Sequence, residues 1–343
     1  MNARKRVACK AHKYHSRGAS VRIRCLNTLR QLRAERYPVE LYRKRHESAY
    51  RAVLFSKAYK PKDVALAERL KQQGVRILFD LCDNHFLLPA ERVARLKRMF
   101  ALADHWVVSS DALARVVRCE LGAATPLTVI EDAVEGRLSG HPLDLAGWVK
   151  GQAQLLQLDH FLKQPAHRRS AHLVWFGHHK ANYRDSGLVH LGRIRSLLER
   201  AHRSHPLTLT VISNSREAFG ATLADWGVPC FYIDWSTHTF FKAMRRHDIA
   251  VIPIGVNEFT SVKTNNRIAL SLNLGLGVLA DSIESYRVFA DCAFLDRWEE
   301  GLNAYLEQPE LISRHVSSAR EVIRRRFSLP VIAERWKALF ELV

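Results

Sequence analysis

The sequence predicts an α/β protein built from two doubly wound domains, each a parallel sheet covered by helices. Short apolar runs suited to buried strands alternate with amphipathic helical segments along most of the 343 residues. Glycine or polar residues follow many of these runs, as expected for loops at the ends of strands. A glycine-rich change of character over residues 136–170 separates two such series. We therefore predict domains at 1–165 and 166–320, followed by a C-terminal helix at 321–343.

Individual elements follow from apolar run length, from capping residues and from the glycines that end helices. The predicted strands cover residues 6–10, 39–42, 52–55, 75–80, 105–109, 127–130, 172–176, 207–212, 231–233, 249–254 and 278–280. The predicted helices cover residues 21–35, 63–73, 89–102, 111–120, 152–163, 187–202, 239–246, a segment from 265 to about 274, and a tail from 309 to 343 that breaks near 328–330.

The clearest strand–loop–helix–strand unit runs from residue 248 to residue 282. Its first strand ends at Gly255, and a polar loop over residues 255–264 precedes the helix. In parallel sheets, ligands bind beyond the carboxyl ends of the strands. We therefore expect a ligand at this loop, which carries the polar and charged residues Glu258, Thr260, Ser261 and Lys263.

Positive charge is concentrated at the start of the chain. Of the formal net charge of +19, residues 1–60 contribute +14. A face this basic indicates an anionic partner such as nucleic acid, phospholipid headgroups or an acidic glycan, although a solvated basic face is the alternative. Because no RNP, helix-turn-helix or zinc-finger pattern is present, we do not expect sequence-specific nucleic-acid binding. The basic helix predicted at 21–35 fits either a membrane-interface helix or a core-packing helix.

Several classes of protein are excluded by missing motifs. The sequence lacks G-x-G-x-x-G, the P-loop pattern, the G-x-S-x-G elbow and H-E-x-x-H, which argues against dinucleotide dehydrogenases, P-loop NTPases, α/β-hydrolases and zincins. The six cysteines form no C-x-x-C pair and are predicted to be reduced. With neither a signal peptide nor an apolar run near the roughly 20 residues that span a bilayer, we expect a cytoplasmic protein, at most peripheral at the inner face of the membrane.

Five segments, taken in order, resemble the retaining GT-B glycosyltransferases, the large family that builds bacterial surface polysaccharides and glycolipids. They are LVWFGHHKAN (173–182), LTLTVISNS (207–215), HDIAVIP (247–253), NEFTSVKTNNRIALSLNLGLGVLAD (257–281) and AREVIRRRFSLPVIAERWKALFE (319–341). The fourth is similar to the family's Glu-x7-Glu donor loop, and the fifth to its closing helices. The resemblance implies two Rossmann-like domains facing a cleft, with a helical tail that crosses back to the first domain.

The resemblance also implies a hexosyltransferase-type activity that moves a sugar from a nucleotide-sugar donor to a glycan or lipid-linked acceptor, with retention. The nucleotide sugar is the substrate, and no metal or other cofactor is expected. The implied catalytic residues are Asp83 and His85, which would position or deprotonate the acceptor hydroxyl beside Asp80, and Glu258, which would contact the transferred sugar. The implied donor-binding residues are Gly18, Gly177, His178, Lys180, Asn214, Asp234, Glu258, Ser261, Lys263, Asn266 and Arg267.

Lys180 and either Lys263 or Arg267 are the cations expected to stabilise negative charge on the donor diphosphate. Asn266 stands where the family has its second Glu, which accepts hydrogen bonds from the ribose hydroxyls. This departure favours an alternative, a non-catalytic GT-B-like binding protein whose basic N-terminal face binds nucleic acid or a protein partner.

Overall fold

The computed structural model describes residues 5–14, 18–136, 144–179 and 187–343. Its strands are β1 (Arg6–Ala11), β2 (Val39–Leu41), β3 (Tyr50–Ser56), β4 (Arg76–Leu81), β5 (His105–Val108), β6 (Leu127–Val129), β7 (Ala171–Phe176), β8 (Leu207–Ser213), β9 (Cys230–Asp234), β10 (Ile249–Ile252), β11 (Gly277–Ala280) and β12 (Phe294–Leu295). Its α-helices are α1 (Thr28–Ala34), α2 (Pro61–Gln72), α3 (Ala90–Leu102), α4 (Asp111–Leu121), α5 (Leu145–Lys163), α6 (Arg195–Ser204), α7 (Arg216–Leu223), α8 (Phe240–Met244), α9 (Asn266–Asn273), α10 (Trp298–Glu307), α11 (Glu310–Arg326) and α12 (Leu329–Leu342).

The first compact unit comprises residues 1–134, 261–264 and 324–343. Its six parallel strands are ordered β2-β1-β3-β4-β5-β6, so the strand order reverses between β1 and β3. Apolar side chains fill both faces of the sheet. On one face, Trp336 and Phe340 of α12 pack into a core shared with β1 and α1. The C-terminal helix thus returns to the N-terminal unit, as the sequence predicts.

The second unit comprises residues 135–260 and 265–323. Its strand order is β12-β11-β10-β7-β8-β9, all parallel, with the reversal between β7 and β10. This is the order of the dinucleotide-binding Rossmann sheet, in which ligands bind outside the carboxyl ends of the two strands at the reversal. The predicted fold class, two doubly wound α/β units with a C-terminal helix, is confirmed.

Helix boundaries follow local capping chemistry. The Ser110 hydroxyl accepts a hydrogen bond from the Leu113 amide at the start of α4, and the Ser215 hydroxyl does the same for Ala218 in α7. Pro61 opens α2, where its fixed φ suits the first turn. Gly275, at φ 98°, follows the end of α9 and allows the tight return into β11.

Two regions differ from the sequence-based expectation. Residues Val21–Asn27 form a turn of π-helix before α1, and Arg22 and Arg24 are buried within it. The segment is therefore a core-packing helix, because Arg24 binds internal carboxylates and cannot reach a membrane. Helix α5 begins at Leu145, seven residues before its predicted start, and its 19 residues belong to the second unit. No helix in the described ranges has the length and hydrophobicity needed to cross a bilayer.

Candidate functional site

In the second unit, the loops at the β7/β10 reversal are tied together by short polar contacts. The Ser213 hydroxyl at the end of β8 donates to the Gly177 carbonyl at 2.8 Å. The Asn214 side chain accepts a hydrogen bond from the His179 amide at 3.0 Å. Gly177 and His178 therefore lie in a loop after β7 that the end of the neighbouring strand holds in place. Burial lowers the pKa of the His178 imidazole.

Arg267 brings a positive charge to the carboxyl end of β7. It lies in the first turn of α9, and its Nη2 donates to the carbonyl of Phe176, the last residue of β7. Its guanidinium lies 5.3 Å from the Trp175 ring centroid and 5.1 Å from that of Phe176. The Nε atom is buried with no hydrogen-bond partner among the described residues.

Burial lowers the pKa of Arg267, because a desolvated cation without a carboxylate is destabilised. Arg193, in contrast, is paired with the Asp281 carboxylate at 2.6 Å. An anion bound at the end of β7 would supply the counter-charge that no described carboxylate gives to Arg267. The Arg267 cation therefore lies at the end of β7, where the strand order of the second sheet reverses.

Asp281, after β11, fixes the start of the loop that follows β10. One of its carboxylate oxygens accepts hydrogen bonds from the Ile254 amide at 2.8 Å and the Gly255 amide at 2.9 Å. Gly255 has φ 54°, and a Cβ atom there would lie 2.5 Å from the His190 ring. Only glycine meets both the backbone and the packing requirement at this position.

The rest of this loop is held by its own side chains. The Asn257 carboxamide accepts from the amides of Phe259 and Thr260, both at 2.9 Å, and the Thr260 hydroxyl donates to the Gly255 carbonyl at 2.6 Å. Glu258 is exposed in this turn. The loop therefore presents the Glu258 carboxylate on a preformed backbone.

The first unit carries a buried ionic network at the carboxyl edge of its sheet. The Arg24 guanidinium donates to Asp80 at 2.6–3.0 Å, to the Ile130 carbonyl at 2.8 Å and to Asp132 at 3.0 Å. The Ser56 hydroxyl donates to Asp80 at 2.7 Å. The Arg24 and Asp80 side chains are 1% and 0% exposed, so both charges are compensated entirely inside the protein.

Asp83, just beyond β4, lies between two lysines. Lys57 binds one carboxylate oxygen and Lys263 binds the other. Burial by itself would raise the pKa of Asp83, but Lys263 and Lys57 outweigh it and hold that pKa far below its ordinary value. Such a carboxylate is a poor proton acceptor. The geometry favours a positioning role for Asp83 over that of a base.

Lys57 is the residue at this edge that sequence analysis missed. It follows β3 at the β1/β3 reversal and has φ 52°, which is rare for a residue other than glycine. Its amide donates to the Asp80 carbonyl at 2.9 Å. Backbone strain of this kind concentrates at functional sites. A lone lysine after a strand carries no motif, so the sequence offered only the expectation that ligands bind at strand ends.

His85 completes the group. Its Nδ1 lies 2.9 Å from the Tyr59 hydroxyl, and its Nε2 lies 4.0 Å from Asp83. Burial lowers the pKa of His85 to about 3, assisted by the positive charges of Lys57, Lys263 and Arg92. The imidazole is therefore neutral at pH 7.

Comparison with solved structures reveals the same architecture over the whole chain. Sucrose-phosphate synthase from Thermosynechococcus elongatus superposes with a TM-score of 0.66 at 12% identity, covering 99% of each chain. HepE from Anabaena, solved in complex with UDP and glucose, superposes with a TM-score of 0.64 at 12% identity, and the match covers 99% of this chain and 100% of the HepE chain. A glycosyltransferase from Rickettsia africae superposes with a TM-score of 0.65 at 10% identity, and the match covers 99% of this chain and 98% of the other.

The chain has the GT-B fold. This confirms the resemblance inferred from the five sequence segments. By sequence, no protein-family model matches the chain and no curated protein matches it significantly. At 10–12% identity, the structural likeness establishes the GT-B fold of this chain and not its activity.

Within the GT-B fold, the predicted site residues fall into two groups. The second unit holds Gly177, His178, Asn214, Asp234, Glu258, Asn266 and Arg267. The first unit holds Gly18, Asp83, His85, Ser261 and Lys263. Lys180 lies outside the described residues. Asp234 binds Lys150 at 2.8 Å and Gln154 at 3.1 Å, so its described contacts anchor α5.

Segment 261–264 is held in the first unit by three further contacts. The Ser110 hydroxyl donates to the Val262 carbonyl at 2.7 Å, and the Thr264 hydroxyl donates to Asp132 at 2.9 Å. Val262 packs in the apolar core of that unit. Within this unit, Lys263 therefore contacts Asp83. Among the described residues, no three His, Cys, Asp or Glu side chains converge as ligands of a metal ion would.

The state of His85 predicts a pH dependence of stability. Its pKa is about 3 in the folded protein and about 6.5 when unfolded, so between these values the unfolded chain binds one more proton. Stability is therefore fully present above pH 6.5 and falls as the pH drops, by at most about 1.4 kcal/mol per pH unit for this group. Between pH 7 and pH 5, the free energy of unfolding measured with urea should fall less steeply with decreasing pH in His85→Gln than in the wild type. An unchanged slope would contradict the assignment of a neutral His85.

Proposed function

We propose that the protein is a hexosyltransferase-type glycosyltransferase that moves a sugar from a nucleotide-sugar donor to a glycan or lipid-linked acceptor. The observation that carries this proposal is the position of Arg267 at the strand reversal of the second sheet, where it has no carboxylate partner in the part of the chain that the structure describes. The GT-B fold supports it, as does HepE, a structural neighbour solved with UDP and glucose.

The donor diphosphate would lie beyond the end of β7, against the Gly177–His178 loop and the first turn of α9. A glycine there admits close approach of the backbone, and α9 adds amide groups and the positive end of its dipole. As the bond from the sugar to the diphosphate breaks, negative charge grows on the leaving oxygen. Arg267 stabilises that charge, and because it is already desolvated and fixed, little reorganisation is needed.

Other residues of the second unit would bind the rest of the donor. Glu258, exposed on the braced loop after β10, accepts hydrogen bonds from hydroxyls of the transferred sugar. Asn266, at the start of α9, takes the ribose hydroxyls with a neutral amide where a carboxylate is usual in the resembling family. We infer that charge stabilisation by Arg267 proceeds without a metal, and that transfer occurs with retention.

The acceptor is assigned to the carboxyl edge of the first sheet. Lys57 and Lys263 fix the Asp83 carboxylate, which then accepts a hydrogen bond from an acceptor hydroxyl. His85 is neutral at pH 7 and orients the same hydroxyl. Neither side chain has the pKa of an efficient base at neutral pH, so their contribution is orientation of the nucleophile.

Nucleotide binding tests the proposal. We expect one of UDP, GDP, ADP or CMP, or its sugar conjugate, to raise the melting temperature selectively without added metal. At about 100-fold excess over Kd, a ligand specific to the folded state adds about 2.7 kcal/mol, which a thermal-shift assay detects. Absence of any shift, together with salt-sensitive binding to DNA or RNA, would favour the non-catalytic binding protein instead.

A further inference from the structure

Helix α5 exposes an apolar stripe that the described residues of the second unit leave in contact with solvent. Leu145, Trp148, Val149 and Leu156 are 68%, 47%, 54% and 70% exposed. The spacings between successive members of this set are three, one and seven residues. At a rotation of 100° per residue, all four side chains lie on one face of the helix. Four large apolar side chains aligned in this way are unusual for a solvated surface.

A neighbouring face of α5 accounts for its packing within the unit. That face buries Gly151, Gln154, Leu155, Leu158 and Leu162. Lys150 and Gln154 bind Asp234 of β9, and Asp159 binds Arg246 beyond α8 at 2.6 Å. The buried face and these ion pairs fix the helix to the unit, and the four exposed apolar side chains are not needed for that attachment.

Exposed positive charge accompanies the stripe on α5 and on neighbouring segments. Lys163 lies on the same helical face, and Arg168 and Arg169 follow the helix in sequence. Lys242 and Arg245 are exposed on and beside α8, which packs against α5. Among the described residues, none of these five cations forms an ion pair at 4.0 Å or less with a carboxylate, although Lys163 adds to the lowering of the Asp159 pKa by Arg246. The acids Asp144 and Asp159 of the same segment are both engaged, Asp144 by the Gly147 amide and Asp159 by Arg246.

We propose that this stripe docks the protein on an anionic lipid bilayer, with α5 lying in the plane of the interface. A tryptophan among leucine and valine, flanked by lysine and arginine, matches the chemistry of interfacial helices: the apolar side chains enter the acyl boundary and the cations bind headgroups.

Vesicle flotation tests the proposal on the full chain. We expect wild-type protein to float with phosphatidylcholine vesicles that contain phosphatidylglycerol, and to bind pure phosphatidylcholine about tenfold or more weakly. Trp148→Ser combined with Leu156→Ser should lower binding to the anionic vesicles by about tenfold or more. Lys163→Glu combined with Arg168→Glu should weaken binding to the anionic vesicles and leave binding to pure phosphatidylcholine unchanged.

Val189→Ser is the matched control, since Val189 is 59% exposed outside the stripe, and it should bind like the wild type. Nucleotide-induced thermal shifts, unchanged in every variant, establish folding and separate this proposal from the donor site. Wild-type protein that ignores anionic vesicles would overturn the inference. So would a wild-type dimer that becomes monomeric in the Trp148→Ser, Leu156→Ser variant, since a second copy would then cover the stripe.

Discussion

Replacing Arg24 by Met should lower the free energy of unfolding of the first unit by about 3–5 kcal/mol, because it leaves the Asp80 carboxylate buried without its charge partner. Burial by itself would lower the pKa of Arg24, but Asp80 and Asp132 outweigh it and raise that pKa further above its ordinary value, which reflects how tightly the pair is coupled. Urea denaturation of the variant and wild type at pH 7 measures the loss.

An exposed ion pair provides the control. Arg6 and Glu40 lie 3.5 Å apart with 50% of the Arg6 side chain exposed, so Arg6→Met should cost less than about 1 kcal/mol. Adding Asp80→Asn to Arg24→Met removes the orphaned charge and should recover part of the stability. Equal losses for Arg24→Met and Arg6→Met would show that the Arg24 network is not a compensated buried pair.

Arg267→Met should abolish donor recognition while leaving the fold intact. We expect nucleotide-sugar binding and kcat/KM to fall about 10²–10³-fold, the effect of removing one preorganised donor from a developing negative charge. The unliganded variant should keep its stability to within about 1 kcal/mol, since a desolvated cation without a carboxylate contributes little to folding. Calorimetric titration with the nucleotide sugar and urea unfolding measure the two quantities separately.

Arg200→Met is the matched control in the same unit. The Arg200 side chain is 52% exposed and lies 3.8 Å from Glu299, far along α6 from the strand ends, so donor binding and stability should both be retained. Unaltered nucleotide affinity in Arg267→Met would remove Arg267 from the donor site. A large loss of apo stability would assign it a structural role instead.

Much of the fold follows from local patterns. Buried strands such as β3 and β10 are continuous apolar runs, and Gly275 and Ser110 mark helix ends through conformational and capping preferences that depend on a few neighbours. The tail break is equally local, since Pro330 opens a new helix, α12, after Ser328. What sequence periodicity did not show was the true start of α5 and the three elements α7, β12 and α10.

The candidate site was harder to predict because its contacts are long-range. Asp83, His85 and Arg267 stood out as charged groups after strands. However, Lys57 and Lys263 both bind the Asp83 carboxylate, and Lys263 is 180 positions away from Asp83 in the sequence. The burial of Arg24 reversed the interpretation of its helix, since a basic amphipathic pattern cannot distinguish a solvated arginine from one that binds an internal Asp.

The measurement that tests the central claim most directly is proton NMR of wild-type protein incubated with the nucleotide sugar that it binds and with glycan and lipid-linked acceptors. We predict release of the nucleotide and formation of a glycosylated product with the anomeric configuration of the donor. An inverted product would contradict retention. A donor that is bound but never consumed, with every acceptor offered, would contradict the assignment as a glycosyltransferase.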